Sequence, residues 1–428
     1  MVGGMELKLR TDDNLTAELV DAAPSGSGVN GTQTRPISIL FLTTGLEVGG
    51  AELMLCRLLS RIDKTRFMPS VISLRKLGPL SKKIEALGIP MRSLGMHPGR
   101  PNPVALLRLA RWLREIRPDL ISTWMYHADL IGGLAAKLAG GIPVVWAIRQ
   151  SDLSREGNTW LTLQTVKVCA AMSHWLPIRI MCNSEASRKA HAAVGYPSEK
   201  MIVIPNGSDV IAFRPCPDAR QSVRKELEIA DEVPLIGLVG RFHPLKDHRN
   251  FVQAAAFLHR DRPDVHFLLC GNDVTWDNRH LARWIRDAGI AGRCRLLGRR
   301  YDIPRLTAAL DIAASSSLGE SFASVIVEAM SCGVPCVVTD VGDSAWIVGQ
   351  TGRVVPPRNP RELAKSLREL VELGRDGRDR LGRAARCRVK EHFDLPEMVA
   401  RYQKLYQDVA DMPQEKWSVG GISQSLTR

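Results

Sequence analysis

The chain has 428 residues, more than a single hydrophobic core usually supports, so two domains are expected. Its 58 Lys and Arg against 45 Asp and Glu give a net charge of +13, which indicates an anionic partner: a phosphorylated substrate, a membrane surface or a nucleic acid. Aromatic residues make up only 5% of the chain and no nucleic-acid-binding motif occurs, which argues against nucleic acid.

Neither the first residues nor the most apolar segment predicts membrane insertion. Charged residues interrupt the opening MVGGMELKLRTDDNLT, which therefore lacks the apolar core of a signal peptide. The most apolar segment, 130–148, contains Lys137, Pro143 and two glycine pairs, whereas a membrane span requires about 20 clean residues. The nine cysteines are scattered without a C-x-x-C pair, so we expect free thiols in a reducing cytoplasm and neither disulfides nor a zinc site.

The first predicted unit is a strand, a glycine-rich loop and a helix. Residues 1–34 are polar without a periodic apolar face and predict a mobile tail. From Ile37 the run ISILFLT predicts a buried parallel strand, which leads through TGLEVGG to a helix at 51–60. Gly49 and Gly50 allow a ligand or a facing domain to approach the backbone closely.

A dinucleotide-binding fold is the obvious alternative for this unit. The loop matches neither G-x-G-x-x-G nor the phosphate-loop pattern G-x-x-x-x-G-K-[ST]. The next predicted strand, 67–74, is followed by Arg75 and Lys76 instead of the acidic residue that would bind an NAD ribose. The pattern disfavours NAD and leaves NADP as a weak alternative.

Two further features of the first half have a structural and a functional interpretation. A helix at 103–116 and the residue after it carry arginines at three-residue steps, which indicate either a solvated face or a contact with anionic lipid or polyprenyl phosphate. His127 follows a strand at 119–123, and a histidine at the carboxyl end of a strand is either structural or part of a ligand site. The arginines are Arg108, Arg111, Arg114 and Arg117.

Alternating strands and helices continue to a turn that includes Asn206 and closes the first sheet, and the segment 213–218 predicts an interdomain hinge. A second strand–loop–helix unit begins at Pro234. Its loop carries Arg241 and Lys246 around a proline turn, where both can converge on a diphosphate. The alternative is an exposed basic loop.

The segment from Ser315 to Asp340 organises the second half of the chain. A strand at 310–314, a Ser/Gly loop, a helix and a strand at 336–339 form half of a βαβ unit, whose helix start favours an anion. Glu320 lies in the loop and Glu328 eight residues later, a spacing that chance also supplies. The two carboxylates could accept hydrogen bonds from sugar hydroxyls, or act as the acid and base of a glycoside hydrolase.

The chain is then predicted to be helical from 360 to about 407, with a break near Phe393–Pro396. The sequence thus predicts an α/β protein with two parallel-sheet domains. The predicted divisions are a tail at 1–34, a first domain at 35–212, a second domain at 213–394, a helix at 395–412 that packs back on the first domain, and a disordered tail at 413–428.

Six segments, in order along about residues 37–407, carry a resemblance to a known family: TGLEVGGAE, NSEASRKAH, VIPNGSD, GRFHPLKD, GESFASVIVEAMSCGVPCVVTD and TGRVVPP. The chain resembles the retaining glycosyltransferases that carry an E-x7-E motif, of the family 4-like group 1 type that builds bacterial surface polysaccharides. The resemblance implies the GT-B fold, in which two Rossmann-like, doubly wound parallel-sheet domains face each other across a cleft.

The resemblance also implies roles for individual residues. Glu320 would bind the donor sugar and Glu328 the ribose hydroxyls, while Arg241 and Lys246 would bind the diphosphate. Gly49 and Gly50 match the loop that faces the donor phosphates or the acceptor, and His127 matches a histidine near the transferred sugar. The remaining residues expected at the donor are Asn206, Ser321, Phe322 and Ala323. The chain departs from the family pattern at Ser321 and at Gly342–Asp343, where glycines are frequent.

The implied reaction is transfer of a sugar, with retention, from a UDP- or GDP-linked donor to a carbohydrate or a polyprenyl-linked glycan, without a cofactor or a metal. The implied location is the cytoplasm, with peripheral association at the anionic inner face of the cell membrane. Three alternatives stay open: a nucleotide-sugar epimerase of the same fold, an NADP oxidoreductase, and a non-catalytic protein that binds nucleotide sugars or lipids.

Overall fold

The computed structural model describes residues 35–97 and 103–413. The tails predicted at 1–34 and at the C-terminus, beyond residue 413, lie outside the described residues. In the described part of the chain no helix is both long and apolar enough to cross a bilayer.

The first domain is built on a seven-stranded sheet in which all strand pairs are parallel, in the order β3-β2-β1-β4-β5-β6-β7. Its strands are β1 (Ile37–Thr43), β2 (Phe67–Ser73), β3 (Met91–Ser93), β4 (Leu120–Trp124), β5 (Val144–Ile148), β6 (Arg179–Cys182) and β7 (Met201–Val203). Its helices are α1 (Gly50–Arg61), α2 (Ser81–Glu85), α3 (Pro103–Ile116), α4 (Tyr126–Leu138), α5 (Trp160–Met172) and α6 (Glu185–Ala193).

The second domain is built on a six-stranded parallel sheet in the order β10-β9-β8-β11-β12-β13. Its strands are β8 (Leu235–Val239), β9 (His266–Cys270), β10 (Cys294–Leu296), β11 (Ile312–Ser315), β12 (Cys336–Thr339) and β13 (Arg353–Val355). The helices that follow the first domain are α7 (Pro217–Glu226), α8 (His248–Asp261), α9 (Arg279–Asp287), α10 (Ile303–Ala308), α11 (Ser324–Ser331), α12 (Ser344–Val348), α13 (Pro360–Glu372), α14 (Gly374–His392) and α15 (Leu395–Ala410). The two parallel sheets confirm the predicted fold class.

Both faces of each sheet are covered by core clusters, which is why central strands such as β1 and β5 are mostly apolar. In β1, Leu40 and Leu42 pack into one core cluster and Ile39 and Phe41 into the cluster on the opposite face. On the first of these faces α4 lies close to the sheet, because a Cβ at Gly132 would come within 2.6 Å of the Leu42 side chain. Small residues on α4 thus fix the distance between helix and strand.

The last helix, α15, packs on the core of the first sheet although it follows the second domain in sequence. Tyr402 stacks against Trp124, with ring centroids 6.2 Å apart, and Tyr406 meets Phe41 edge to face at 5.8 Å. The chain therefore passes twice between the two domains. The exact domain boundaries stay predictions.

Two elements differ from the sequence prediction. The segment 213–218 contains the start of α7 at Pro217, because proline is well tolerated in a first helical turn, where the backbone N–H has no partner. The helical segment after 360 is broken at Leu373, which ends α13 with Gly374 in the left-handed region (φ +67), as well as at the predicted break before Leu395.

Candidate functional site

A cleft of about 640 Å³ separates the two domains, within the usual range for a small-molecule site. Its first-domain wall consists of the loop before α1 and the segments that follow β4, β5, β6 and β7, and its second-domain wall consists of the segments that follow β8 and β11. Both sheets thus turn their carboxyl ends toward the cleft. The structure brings ten of the eleven predicted site residues to its walls: Gly49, Gly50, Asn206, Arg241, Lys246, Glu320, Ser321, Phe322, Ala323 and Glu328.

The first pair of site residues is Lys246 and Glu320. Lys246 ends a single 3-10 turn, Pro244–Lys246, and its ammonium forms an ion pair with Glu320 Oε1. Ser317 Oγ donates to the same oxygen at 2.8 Å. Both charged side chains are less than a quarter exposed, so this pair is largely withdrawn from water. A ligand that carries both hydroxyls and a phosphate could engage the two charges together.

The second pair joins the predicted residue Glu328 to Arg57, a residue that sequence reasoning missed. Glu328 lies on α11, and Arg57 Nη2 of α1 donates to its Oε1 at 2.6 Å across the cleft. Burial raises the pKa of Glu328, and the Arg57 guanidinium acts in the opposite direction. The signal in the sequence was a basic residue, Arg57, between the buried Cys56 and Leu58 of an apolar helix.

Arg149 is a second residue that the sequence analysis missed. It follows β5 at the carboxyl edge of the sheet, and its guanidinium lies 4.0 Å from the centroid of the Trp124 ring. Its Nη1 donates to Asn206 Oδ1 at 2.8 Å, while Nε and Nη2 have no hydrogen-bond partner among the described residues. Burial lowers the pKa of Arg149. An arginine directly after a buried strand was the available signal.

Glu52 adds a carboxylate to the same wall, one turn into α1. Burial raises its pKa, and the charges of Arg149 and Arg241 act in the opposite direction. A Cβ at Gly49 would meet only the flexible end of the Glu52 side chain, with Oε2 2.3 Å away, and Gly50 has open space around it. The N-terminus of α1, whose N-cap residue Gly49 has no capping side chain, lines the cleft, and a helix start of this kind favours an anion.

Hydrogen bonds join the two walls directly. Asn206 Nδ2 donates to Ser324 Oγ at 3.1 Å, and Ser321 Oγ donates to Asn183 Oδ1 at 2.6 Å. Asp343 accepts from the backbone N–H groups of Glu185 and Ala186, at 2.8 and 2.9 Å, and so caps α6 from the other domain. Ser321 and Asp343, the two departures from the family pattern, thus both bind the segment after β6.

His127 is the one predicted site residue that the structure does not bring to the others. It lies half-buried on the first turn of α4 and is not among the described residues that line the cleft. Burial and the nearby Arg75 both lower the pKa of His127, which favours the neutral imidazole. Met125, two residues earlier, does line the cleft and has a φ of +77°. The role of His127 stays a prediction.

Residues 35–97 and 103–413 contain no group of three or more His, Cys, Asp or Glu side chains placed to hold a metal ion. The cations that face the cleft from protein side chains include Arg57, Arg149, Arg241 and Lys246. The site therefore combines fixed positive charges, the carboxylates of Glu52, Glu320 and Glu328, and a helix N-terminus.

Two family models match the chain, one in each domain. The model described as Glycosyltransferase Family 4 matches residues 48–212, and the model described as Glycosyl transferases group 1 matches residues 233–373. Together they include both walls of the cleft, from Gly49 to Glu328.

Among curated proteins, the chain is similar to the "Putative glycosyltransferase EpsF" of Bacillus subtilis, with 26% identity over 73% of this chain and 80% of the relative. It is also 26% identical to the UDP-Gal:alpha-D-GlcNAc-diphosphoundecaprenol alpha-1,3-galactosyltransferase of Escherichia coli, over 57% of this chain but only 63% of that enzyme. Other curated relatives are covered to about half of their length.

Among solved structures, the chain is similar to Anabaena Alr3699/HepE in complex with UDP and glucose. The TM-score is 0.77 and the sequence identity 26%, over 87% of this chain and 100% of that one. This likeness covers both parallel-sheet domains.

Proposed function

The chain belongs to the GT-B glycosyltransferases, and we propose that it transfers a sugar from a nucleotide-sugar donor to a hydroxyl acceptor with retention of the anomeric configuration. The observation that carries the proposal is the ion pair of Lys246 and Glu320 in a cleft that Arg241 and the N-terminus of α1 also line. Phosphate and sugar ligands need this combination of cations, N–H donors and a carboxylate.

We assign the donor to the second-domain wall. Glu320 would accept hydrogen bonds from the sugar and Glu328 from the ribose, while Arg241 and Lys246 would bind the diphosphate. Ser321, Phe322 and Ala323 form the adjoining loop, and Asn206 meets it from the first domain. UDP is the favoured nucleotide because the Anabaena structure holds UDP and the name of the Escherichia coli relative specifies a UDP-linked donor.

The proposed chemistry breaks the bond between the sugar C1 and the phosphate oxygen and forms a bond between C1 and the acceptor oxygen on the same face. The departing phosphate oxygen takes the proton of the acceptor hydroxyl, so no separate base is needed. Arg241 and Lys246 would stabilise the negative charge that develops on the leaving diphosphate, a contribution that is among the largest in enzyme catalysis. The chain's own cations thereby supply the charge stabilisation.

We further propose a lipid-linked acceptor and peripheral binding to an anionic membrane. Leu107 is 62% exposed on α3, the helix whose outer face also carries exposed arginines, and Trp160 is 67% exposed at the start of α5. The helices α3, α4 and α5 pack side by side, and Gly157, just before α5, lines the cleft. The Escherichia coli relative, whose name specifies a diphosphoundecaprenol-linked acceptor, supports the same acceptor class.

Flotation with anionic and neutral liposomes at low and high salt tests the membrane proposal. We expect the full chain to float with anionic vesicles at low salt and to be released by high salt, because exposed basic residues contribute about 1 kcal/mol each near such a surface. Lack of binding to anionic vesicles even at low salt would exclude this mode of association.

A panel of nucleotide sugars tests the central proposal. A ligand at 100 times its Kd stabilises the folded protein by about 2.7 kcal/mol, so thermal unfolding identifies the donor. The identified donor is then incubated with glycan and polyprenyl-linked acceptors, and the anomeric configuration of the product is read by NMR. We expect a retained glycoside. If the nucleotide sugar were isomerised in the absence of an acceptor, the protein would instead be an epimerase. A nicotinamide-dependent change in absorbance would identify an oxidoreductase, and tight donor binding without turnover would identify a binding protein.

A further inference from the structure

Arg57 and Glu328 meet across the cleft from different domains. Arg57 lies in the middle of α1 and Glu328 in the middle of α11, and the guanidinium donates to one carboxylate oxygen at 2.6 Å. The Arg57 side chain is 23% exposed and that of Glu328 11%. Both residues line the cleft, so a ligand in the cleft can reach this ion pair.

Arg57 is the only side chain that forms a hydrogen bond or ion pair with the Glu328 carboxylate among the described residues. Its guanidinium is held by the ring of Phe213, whose centroid lies 5.8 Å away. The second carboxylate oxygen of Glu328 is not used by Arg57. Since an ionised carboxyl group accepts at about four lone-pair positions, Glu328 can bind hydroxyls while it stays paired with Arg57.

The other charged or titratable groups near this pair are engaged elsewhere. Cys332, the residue directly after α11, stays a neutral thiol because burial raises its pKa to about 12. Arg386 of α14 donates to the carbonyl oxygens of Phe213 and Val210, at 3.0 Å each. Arg61, one turn after Arg57, pairs with Asp209.

We propose that Arg57 is a positioning residue for the donor: it keeps Glu328 a carboxylate within the desolvated cleft, so that Glu328 can accept hydrogen bonds from both ribose hydroxyls. The inference rests on the proposed function, in which Glu328 binds the ribose. In this proposal the first domain takes part in donor binding, because its Arg57 sets the charge of Glu328 in the second domain.

The physical reason is the balance of burial and charge at Glu328. Burial favours the neutral acid and raises the pKa of Glu328, and Arg57 is the principal opposing influence. Without Arg57 the pKa rises further, and the carboxyl group takes up a proton at a higher pH. The protonated acid has an O–H donor and fewer acceptor positions, which fits two ribose hydroxyls less well.

UDP binding to the full chain, measured by calorimetry between pH 5.5 and 8.5, tests this inference. We compare the wild type with Arg57→Gln, Arg57→Lys, Glu328→Gln and the double variant Arg57→Gln/Glu328→Gln. Because the terminal phosphate of UDP also titrates near pH 6, each variant is compared with the wild type at each pH. Arg61→Gln is the matched control, since it removes the ion pair with Asp209 from the same helix without touching Glu328.

We expect Arg57→Gln to lose affinity, relative to the wild type, by about tenfold or more as the pH falls from 8.5 to 5.5, because an adjacent opposite charge shifts a carboxyl pKa by roughly 1–3 units. Arg57→Lys and Arg61→Gln should follow the wild-type profile. In the double variant the loss of Arg57 should add nothing to the effect of Glu328→Gln.

A purely structural role of Arg57 would lower the affinity equally at every pH. Parallel profiles of wild type and Arg57→Gln, or a lysine variant that behaves like the glutamine variant, would therefore overturn the inference and leave the proposed function intact. If the wild type bound neither UDP nor GDP at any pH, the donor assignment would fail and the inference with it.

Discussion

Lys246 donates to the carboxylate of Glu320 and so joins the loop after β8 to the loop after β11. The two residues come from separate sequence motifs, 74 positions apart, and form the centre of the second-domain wall. Both side chains are less than a quarter exposed, so each charge is stabilised largely by the other instead of by water. A ligand that contacts one of them necessarily acts on both.

Lys246→Gln should abolish most of the transfer activity. In the proposed reaction the ammonium stabilises the leaving diphosphate, and removal of one such group costs about 10²–10³-fold in kcat. The fold should persist, because glutamine can still donate to Glu320. We would measure kcat and the donor KM together with the thermal unfolding midpoint.

Lys365→Gln, on the outer face of α13, is the matched control for this change, since its side chain is 57% exposed. It should leave both kinetic constants and the midpoint unchanged. Near-normal kcat in Lys246→Gln, with the fold intact, would rule out the proposed role of Lys246.

Asp343→Asn should loosen the contact between the two domains. The carboxylate caps α6 by accepting from two N–H groups, and it also lies favourably at the positive end of the helix dipole. Asparagine has one acceptor oxygen and presents an NH₂ group to the other N–H, so we expect a loss of about 1–3 kcal/mol of stability. Urea unfolding measures the loss, and small-angle scattering measures the separation of the domains.

Asp340→Asn, at the exposed end of β12, is the control in the same loop and should change neither quantity. If Asp343→Asn were as stable and as compact as the wild type, the cross-domain cap would not contribute to closure.

Much of the fold follows from local pattern. The mostly apolar run from Ile37 to Thr43 is β1 to the residue, and Cys336–Thr339 is β12, because a strand buried on both faces is a nearly continuous apolar run. The strand order of each sheet does not follow from such patterns, because it depends on crossovers. Local pattern also indicated Lys246 and Glu320 as candidate ligand residues, and resemblance then gave them individual roles at the donor.

The residues that were missed act through contacts that no local pattern encodes. Arg57 and Glu328 are 271 positions apart and meet only because the two domains face each other. Arg149 is placed by the Trp124 ring and by Asn206, on three different segments. Conversely, His127 follows a motif, but its side chain is not among the described residues at the cleft, since α4 begins at Tyr126.

Asp302→Asn should make the stability of the second domain depend less on pH in the acidic range. Asp302 accepts from Arg300 at 2.8 Å and from Arg305 at 2.9 Å, and these guanidinium groups hold its pKa well below the ordinary value. A depressed pKa means that the stabilisation is present above the unfolded-state pKa, near 3.9, and is lost as the pH falls through the folded-state value. The variant should therefore unfold at a lower temperature than the wild type at pH 7, and the gap should narrow toward pH 3.

Thermal unfolding between pH 7 and pH 3 measures this gap. Asp218→Asn, which changes an exposed first-turn residue of α7, is the control and should show a smaller gap than Asp302→Asn at pH 7. A constant gap for Asp302→Asn over the whole range would show that the ion pairs do not govern acid stability.

Tyr406→Phe should destabilise the docking of α15 more than the loss of one oxygen atom suggests. The Tyr406 hydroxyl lies 3.0 Å from Ser122 Oγ, and both side chains are buried at the centre of the first domain. Removal of one partner leaves the other without a hydrogen bond in an apolar core, which costs about 1–3 kcal/mol, whereas replacement of both partners by apolar groups is nearly neutral. Tyr406→Phe/Ser122→Ala should therefore be more stable than Tyr406→Phe alone.

Urea unfolding followed by tryptophan fluorescence measures the difference, because Trp124 lies beside α15. Tyr301→Phe, at an 83% exposed tyrosine, should stay within about 0.5 kcal/mol of the wild type. If the losses of unfolding free energy for Tyr406→Phe and Ser122→Ala simply added in the double variant, the hydroxyl pair would not couple α15 to β4.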